Sequence, residues 1–520
     1  AKFHIVLESA GIQPGDKIAV CGRNSAHWAV TFLATITYGA VIVPILHEFK
    51  ADNVHNIVNH SEAKLLLVGD MVWENLNESA MPLLEGILMM NDFTLLVSRS
   101  ERLTHAREHL NEMFGKKYPK NFRREHIEYH KDEPEELAVI NYTSGTTSYS
   151  KGVMLPYRSL WSNTKFAFEV LELEAGDKIV SMLPMAHMYG LAFEFLYEFS
   201  VGCHIYFLTR MPSPKIIFQA FEEVKPSLIV AVPLIIEKII KKSVLPKLET
   251  PAMKILLKVP IINDKIKATV REEMIKAFGG NFKAVIVGGA AFNQEVEQFL
   301  KMIDFPYTVG YGMTECGPII CSSRWDTLKL ASCGKATTRM EVRIDSPDPK
   351  THAGEIVCRG ANMMLGYYKN PEATREIIFE ENGTRWLRTG DLGHVTKEGY
   401  FRLTGRLKRI LWSIGVDKTP SRVYPMEIEN VLSRHSAVDK CAVVGRINGE
   451  KGYLVIAYVT LKAKDIGDNI EKELRQLCRQ ELKENSWPFE YHFVEKLPIT
   501  GAGKIDFRTL EKWAENSDSF

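Results

Sequence analysis

Short apolar runs alternate with amphipathic stretches along most of the chain, and this alternation predicts an α/β fold. Lys17–Cys21 reads as a buried strand. Asn24 and Ser25 offer caps for an amphipathic helix over Ala26–Tyr38, Gly39 ends it, and Ala40–Ile45 reads as a second strand. A helix over Asp52–His60 and a strand over Lys64–Val68 repeat the unit. Such β-α-β units build a parallel sheet covered by helices. Glu101–Glu136 breaks the pattern: charged clusters, few large aliphatics, Pro119 and Pro134 predict a solvated excursion.

The apolar run Leu137–Ile140 predicts another strand, and a helical pattern begins near Ser159. Strands are expected over Ile179–Leu183, His204–Leu208 and Leu228–Val232, the last closed by Pro233, with a helix over Pro214–Glu223. Ala284–Val287 reads as a strand ending in Gly288-Gly289, and Tyr307–Gly310 as one leading into Tyr311-Gly312-Met313-Thr314-Glu315. Short β-prone runs with many turn signals across Glu355–Thr404 suggest a small β layer or barrel. A boundary is expected near Gly405–Arg409. Beyond it come shorter units: helix Pro425–Ser433, strands Lys440–Val444 and Leu454–Thr460, helix Asn469–Leu482 and strand Tyr491–Phe493. These predict a small α+β domain over residues 408–520 after a large domain over 1–407.

At 520 residues the chain is too long for one core. Its 45% hydrophobic and 25% charged residues are those of an ordinary globular protein, and a net charge of +1 argues against a large nucleic-acid footprint. Eight cysteines without a C-x-x-C pair fit reduced thiols and a cytoplasmic location. His105 and His109 lie one helical turn apart but belong to no zinc motif, and read as a solvated face. No apolar run reaches membrane-spanning length; the nearest, Met185–Val201, is broken by Glu194 and Glu198. The chain enters folded-looking sequence directly from Ala1, so further residues are expected upstream.

Candidate chemistry starts at Tyr142–Val153, where small hydroxyl residues and two glycines surround Lys151. Between a strand and a helix, such a loop suits phosphate: small residues let N–H groups approach the oxygens, and the lysine adds charge. It is not a Walker loop, because Ser150 precedes Lys151 and Gly152 follows it. A plain polar turn has the same composition. Near the C-terminus, Pro498–Asp506 sets Lys504 on a glycine-flanked turn, able to reach into a cleft; an ordinary exposed lysine reads the same way.

Four ordered motifs combine these features: TSGTTSYSKGV, YGMTE, RTGD followed by GRLK, and PITGAGK. Together they resemble the adenylate-forming superfamily of acyl-CoA synthetases, peptide-synthetase adenylation domains and firefly-luciferase-like enzymes. The stretches LPMAHMYG, VGGAAF, VGYGMTECGP and LGYYKNPEAT most resemble bacterial long-chain fatty-acid–CoA ligases. The resemblance implies an α/β fold: a large N-terminal domain of stacked α/β subdomains with a small β-barrel-like part, then a smaller mobile α+β domain. It implies a reaction in which a carboxylate attacks the α-phosphorus of ATP, releases pyrophosphate as an acyl-adenylate, and passes to the thiol of CoA. Both steps concentrate negative charge, which the protein must meet with cations and N–H donors.

By that resemblance Thr143, Ser144, Gly145, Thr146, Thr147 and Lys151 hold the β- and γ-phosphates. Gly289, Ala290 and Ala291 border the adenine, Tyr311 with the adjoining Gly312 stacks on it, and Thr314 touches the α-phosphate. Glu315 binds Mg²⁺, Asp391 accepts from the ribose hydroxyls and Arg406 adds a nucleotide contact. Lys504 bridges the substrate carboxylate and the α-phosphate, a contact whose loss is expected to cost about 3–4 kcal/mol. His187 falls between acyl pocket and thiol path, though a buried structural histidine reads equally well. Met188, Gly190, Val232 and Pro233 line the acyl pocket or simply pack. Lys408 falls at the hinge of the mobile domain, and Gly415 on the CoA tunnel.

The chain departs from the family pattern in two places. Ser148 and Ser150 stand where Gly and Pro are usual, so the loop is differently constrained. Residues 416–422 lengthen the segment after Gly415, leaving Lys418 or Arg422 to replace a displaced polar residue. The expected partners are ATP, CoA and a fatty acid or other carboxylic acid, with no nucleic acid. Membrane-surface contact and oligomeric state stay open. A ligase that loads a carrier-protein phosphopantetheine and a non-catalytic nucleotide- or acyl-binding relative are the alternatives.

Overall fold

A computed structural model of the chain describes residues 1–143, 151–210, 212–240, 260–350, 352–414, 420–449, 452–462, 469–499 and 505–516. Strands β1 (Lys17–Cys21), β2 (Val41–Ile45), β3 (Ala63–Val68), β4 (Gly86–Met89), β5 (Leu95–Ser98), β6 (Leu137–Thr143) and β7 (Lys151–Pro156) form one sheet in the order β7-β6-β2-β1-β3-β4-β5. Its centre, β6 through β4, is parallel, as the repeated β-α-β pattern predicts.

The helix Ala26–Tyr38 shows how the sequence builds this layer. The Ser25 hydroxyl accepts the Trp28 N–H at 3.1 Å, and Gly39 closes the helix at φ 88°. Trp28 and Phe32 stack at 5.7 Å between centroids, and Phe195 meets Phe32 edge-on at 6.0 Å. All three are buried. Each contributes about 1.5–3 kcal/mol, and together they join the first sheet to the segment after residue 188.

A second sheet is built from β8 (Lys178–Ser181), β9 (His204–Phe207), β10 (Leu228–Ala231), β11 (Ala284–Gly288), β12 (Tyr307–Gly312), β13 (Ile319–Ser322) and β14 (Lys335–Ala336), in the order β14-β13-β12-β11-β10-β8-β9. A third contains β15 (Met340–Asp345), β16 (Gly354–Gly360), β18 (Ile378–Glu381), β19 (Thr384–Val395) and β20 (Phe401–Arg406). Between them in sequence, β17 (Gly366–Tyr367) returns to the first sheet and pairs with β7. The third sheet is antiparallel and open among the described residues; it is a layer rather than a closed barrel.

Downstream, β21 (Leu411–Ile414) pairs with β22 (Pro420–Val423), and β23 (Val438–Ile447), β24 (Tyr453–Leu461) and β25 (Glu490–Phe493) form a three-stranded sheet. Alternate residues face opposite ways. Cys441, Val443, Val455 and Ala457 pack under the helices Pro425–Leu432 and Ile470–Glu481, while Ala442, Val444, Ile456 and Tyr458 pack under Phe507–Asn516. This smaller α+β unit has its own core, as expected.

Several readings change. The strand at Leu137 runs on to Thr143 and pairs antiparallel with β7, so the stretch around Lys151 flanks a hairpin, and the next helix is Tyr157–Val170. Gly152 permits this: a Cβ there would lie 2.9 Å from Ile140 Cγ2 and 3.0 Å from Tyr142 Cζ. Pro233 does not merely close β10; it opens the helix Pro233–Ile239, where a missing N–H costs nothing. The excursion after Glu101 contains helices Glu101–Glu108 and Leu110–Lys117, docked through buried Leu103 and Ala106. The run from Met185 to Val201 becomes helical at Met188 and is mostly buried, with Phe199 exposed near its end. No helix among the described residues is long and apolar enough to cross a membrane.

Candidate active site

Strands β11 and β12 lie side by side, with Gly288 opposite Gly310, so the segments leaving their ends begin together. Gly289 leaves β11 at φ 86°, a conformation that favours glycine, and exposed Ala290 and Ala291 follow. Beyond β12 the chain turns through Met313, whose N–H bonds the Pro318 carbonyl at 2.8 Å. Thr314-Glu315-Cys316 then form one tight turn. Gly312 must be small, because a Cβ there would collide with the Pro318 carbonyl oxygen.

The first cluster lies at the head of this turn. The Tyr311 hydroxyl donates to Asp391 Oδ2 at 2.9 Å, and Arg406 Nε donates to Asp391 Oδ1 at 3.0 Å. Asp391 and Arg406 face each other across β19 and β20. The carboxylate is buried, whereas the Arg406 side chain is 69% exposed. The Tyr311 phenol is pushed well above its usual range, first by burial and then by the Asp391 charge. Asp391 thus stands as a buried acceptor at the head of the turn, bonded by both Tyr311 and Arg406. The Thr389 hydroxyl accepts the Asp391 N–H at 3.1 Å and donates to the Ile356 carbonyl at 2.8 Å, which fixes the strand at this point.

The second cluster lies at the foot. The Tyr367 hydroxyl donates to Glu315 Oε1 at 2.6 Å, and Lys151 Nζ stands 4.9 Å from the centroid of the Tyr367 ring. Pairing of β17 with β7 sets Tyr367 opposite Val153, and Thr143 is opposite Lys151 on β6. Tyr367 thus connects the strand that begins at Lys151 to the Glu315 turn. Sequence reasoning passed over it: LGYYKNPEAT contains it, but a strand of only two residues gives no periodic signal.

The third group follows β8. Asn24 Nδ2 donates to the Leu183 carbonyl at 2.6 Å and the Ser181 hydroxyl at 3.0 Å, while Asn24 Oδ1 accepts the Met185 N–H at 2.8 Å. Asn141 Nδ2 donates to the Ala186 carbonyl at 2.8 Å. Glu194 Oε2 accepts the N–H groups of Met182 and Leu183 at 2.9 and 2.7 Å. These side chains pin the turn that presents His187. His187 Nδ1 accepts the Tyr189 N–H at 3.2 Å, which leaves Nε2 to carry the proton of the neutral ring. The Tyr189 hydroxyl reaches the carbonyls of Ala231 and Ile286 at 3.3 and 3.2 Å, so this turn sits beside β10 and β11. Val232 lies near Gly289, 3.9 Å from the Cβ position there. Met188 is in the core, and Gly190 is required by the Pro184 carbonyl, 2.5 Å from where a Cβ would stand.

Of the sequence-predicted residues, Ser144, Gly145, Thr146, Thr147, Ser148, Ser150, Gly415, Lys418 and Lys504 lie outside the described residues. Arg422 sits over the Trp412 ring at 5.2 Å, within the β21–β22 hairpin. His105 and His109 stack at 4.5 Å. No group of three or more His, Cys, Asp or Glu able to hold a metal occurs among the described residues.

Two family models match the chain: one described as AMP-binding enzyme over residues 4–368, and one described as AMP-binding enzyme C-terminal domain over residues 427–504. The chain is 27% identical over 536 residues to a putative acyl-CoA synthetase, YngI, of Bacillus subtilis, covering 98% of this chain and 89% of that protein. It is 25% identical over 538 residues to a long-chain-fatty-acid–CoA ligase of the same organism, covering 99% and 89%. In fold it resembles the anthranilate CoA ligase AuaEII in complex with anthranoyl-AMP, with a TM-score of 0.80, 20% identity and coverage of 100% of this chain and 91% of that one. ATP-bound MatB from Rhodopseudomonas palustris superposes with a TM-score of 0.77, 22% identity and coverage of 99% and 92%.

Proposed function

The chain belongs to the AMP-binding enzyme family, and from that membership we propose that it is an ATP- and Mg²⁺-dependent fatty-acid–CoA ligase. Adenylate-forming acyl- or aryl-CoA ligase activity is the broader statement that its relatives support. The finer choice of a long-chain fatty acid is supported by similarity to the B. subtilis long-chain enzyme. The observation that carries the reading is the turn from Tyr311 to Glu315. A ribose-type acceptor, Asp391, is fastened at its head, and a phosphate-side trio of Glu315, Tyr367 and Lys151 at its foot.

In this reading Asp391 accepts the two ribose hydroxyls, and Tyr311 orients it. The Tyr311 hydroxyl bonds Asp391, and its ring is the face proposed to stack on the adenine. The segment from Gly289 to Ala291 borders the base, and Thr314 approaches the α-phosphate. Lys151 and Thr143, with Ser144, Gly145, Thr146 and Thr147, meet the outer phosphates.

Glu315 would hold Mg²⁺ through the carboxylate oxygen that Tyr367 does not bond, a hard donor suited to this ion. When bound, Mg²⁺ neutralises charge on the phosphate oxygens. Lys504 holds the substrate carboxylate against the α-phosphorus. A carboxylate oxygen attacks there and pyrophosphate leaves. The CoA thiolate then attacks the acyl carbon and AMP leaves. The His187 turn borders the acyl side, and Gly415 the thiol path. Residues 408–520 turn about Lys408 between the two steps.

The test is pyrophosphate release with ATP and saturated acids from butyrate to stearate, with and without CoA. Thioester formation that rises toward the longer acids supports the proposal. Release with aromatic acids alone overturns the fatty-acid assignment. Transfer only to a carrier-protein thiol overturns the assignment of CoA, and nucleotide binding without release overturns catalysis.

A further inference from the structure

Around the proposed pivot, two arginines reach in opposite directions. Arg406 bonds Asp391 on β19, at the large domain's site. Among the described residues, the hydrogen bonds of Arg409, three residues later, lie within the small unit. Its Nη2 lies 2.5 Å from Glu429 Oε1, its Nη1 3.4 Å from Glu429 Oε2, and Nη2 also donates to the Val443 carbonyl at 3.1 Å. Glu429 Oε1 in turn accepts the Val443 N–H at 2.8 Å. Leu407 and Lys408, between the two arginines, are exposed. A rotation at this point leaves Arg406 with one body and carries Arg409 with the other.

Arg409 has a further contact. Its guanidinium carbon lies 3.7 Å from the centroid of the Phe507 ring, a close cation–π approach. Phe507 opens the helix Phe507–Asn516 and packs on the core beneath it. The residues just before it are tied to an earlier stretch of chain: Ile505 bridges Ile499, and the Asp506 N–H bonds the Pro498 carbonyl at 2.8 Å. Lys504 directly precedes Ile505 in the sequence. The side chain that begins the moving body therefore grips the segment on which the proposed catalytic lysine is carried.

We propose that Arg409 is a positioning residue for acyl-adenylate formation, fastening the pivot to the segment that follows Lys504 through Glu429 and Phe507. The inference rests on the reading of Lys504 as the first-step lysine. Burial raises the Glu429 carboxyl and the Arg409 charge opposes that shift, so removing the cation altogether risks unfolding the unit. Two milder variants avoid this. Arg409→Lys keeps a charge beside Glu429 but loses the planar fork, and Phe507→Leu keeps an apolar side chain but loses the ring.

The experiment measures both half-reactions in the full-length protein: pyrophosphate release with ATP and the fatty acid of highest kcat/KM, and thioester formation from that acid's adenylate and CoA. Each variant is expected to lower kcat of the first step about tenfold, as for loss of a desolvated cation–π contact, and to leave the second within about twofold. Combined with Lys504→Ala, neither should lower the first step further, because Arg409 acts through Lys504. Equal losses in both steps, or losses that multiply fully with Lys504→Ala, overturn the inference. Lys504→Ala impaired with both variants unimpaired overturns the Arg409 role alone. Lys504→Ala unimpaired overturns the reading of Lys504 on which it rests.

Discussion

Two turns leave the parallel part of the second sheet, one after β12 and one after β8, and they are built on opposite principles. After β12, the side chains that fasten the turn are themselves the candidate chemistry: Asp391 and Glu315 each receive a phenol hydroxyl on a carboxylate oxygen. After β8, the fastening groups point at backbone. Asn24, Asn141 and Glu194 hold the N–H and carbonyl groups of the turn before His187. In the proposed reading, charge is fixed on the nucleotide side, where ATP is the constant ligand, and shape on the acyl side, where selectivity is a matter of fit. Substitutions should therefore change the chemistry at the first turn and selectivity or stability at the second.

The sharpest way to break this contrast is Asp391→Ala. Two charge-assisted hydrogen bonds to ribose, at about 1.5 kcal/mol each, give about 3 kcal/mol, or on the order of a hundredfold in kcat/KM for ATP. KM for the acid should stay unchanged. Steady-state kinetics with each substrate varied checks it, and an equal loss for both substrates would erase the distinction between the turns.

Tyr367→Phe is next. It keeps the ring under Lys151 and removes only the hydroxyl from Glu315, so about 1.5–2 kcal/mol, roughly a tenfold loss in kcat/KM for ATP, is expected. The Mg²⁺ concentration for half-maximal pyrophosphate release should rise with it. A loss with no change in Mg²⁺ dependence would detach Tyr367 from Glu315.

Behind the other turn, the effect expected of Glu198, in the helix Tyr197–Val201, is on stability. Its carboxyl is pushed up to about 8 by burial, against an ordinary value of 4.5. Between those values the unfolded chain has lost the proton and the folded chain keeps it, so stability falls as pH rises through that window and is whole below it. Glu198→Gln should flatten the decline, gaining on the order of a few kcal/mol near pH 8 with ATP kinetics unchanged. Thermal melts from pH 5 to pH 9 check this, and parallel curves for both proteins would contradict it.

Asn24→Ala should have the smallest effect. Freeing the turn before His187 is expected to raise KM for the acid about threefold, for hydrogen bonds near 1 kcal/mol each that water partly replaces, with KM for ATP unmoved. A chain-length series on the variant measures it.

Elements with one clear apolar face and a local stop signal were legible in the sequence. β1 and the helix Ala26–Tyr38 have the bounds their patterns predict, because caps and a C-terminal glycine are local chemistry. β7 was not legible: it starts inside a glycine- and serine-rich stretch and exists because β6 and β17 flank it. The helices Lys2–Ala10 and Phe507–Asn516 were also unread. At the site, the motifs pointed to Tyr311, Glu315 and Asp391, and the fold joins two of them directly. Tyr367 and Arg409 were beyond reach, since their meaning depends on partners far along the chain. Glu194 and Glu198 read as interruptions of an apolar run; in the fold they are buried, one of them bonding the turn that carries His187.

The central claim is that side chains from separate sheets converge on one ATP molecule along the turn from Tyr311 to Glu315. A crystal structure of the protein with Mg²⁺ and the α,β-methylene analogue of ATP tests it directly. The account predicts both ribose hydroxyls on Asp391, the α-phosphate beside Thr314 and the outer phosphates near Lys151. A nucleotide bound elsewhere, with no contact to Asp391, would contradict it.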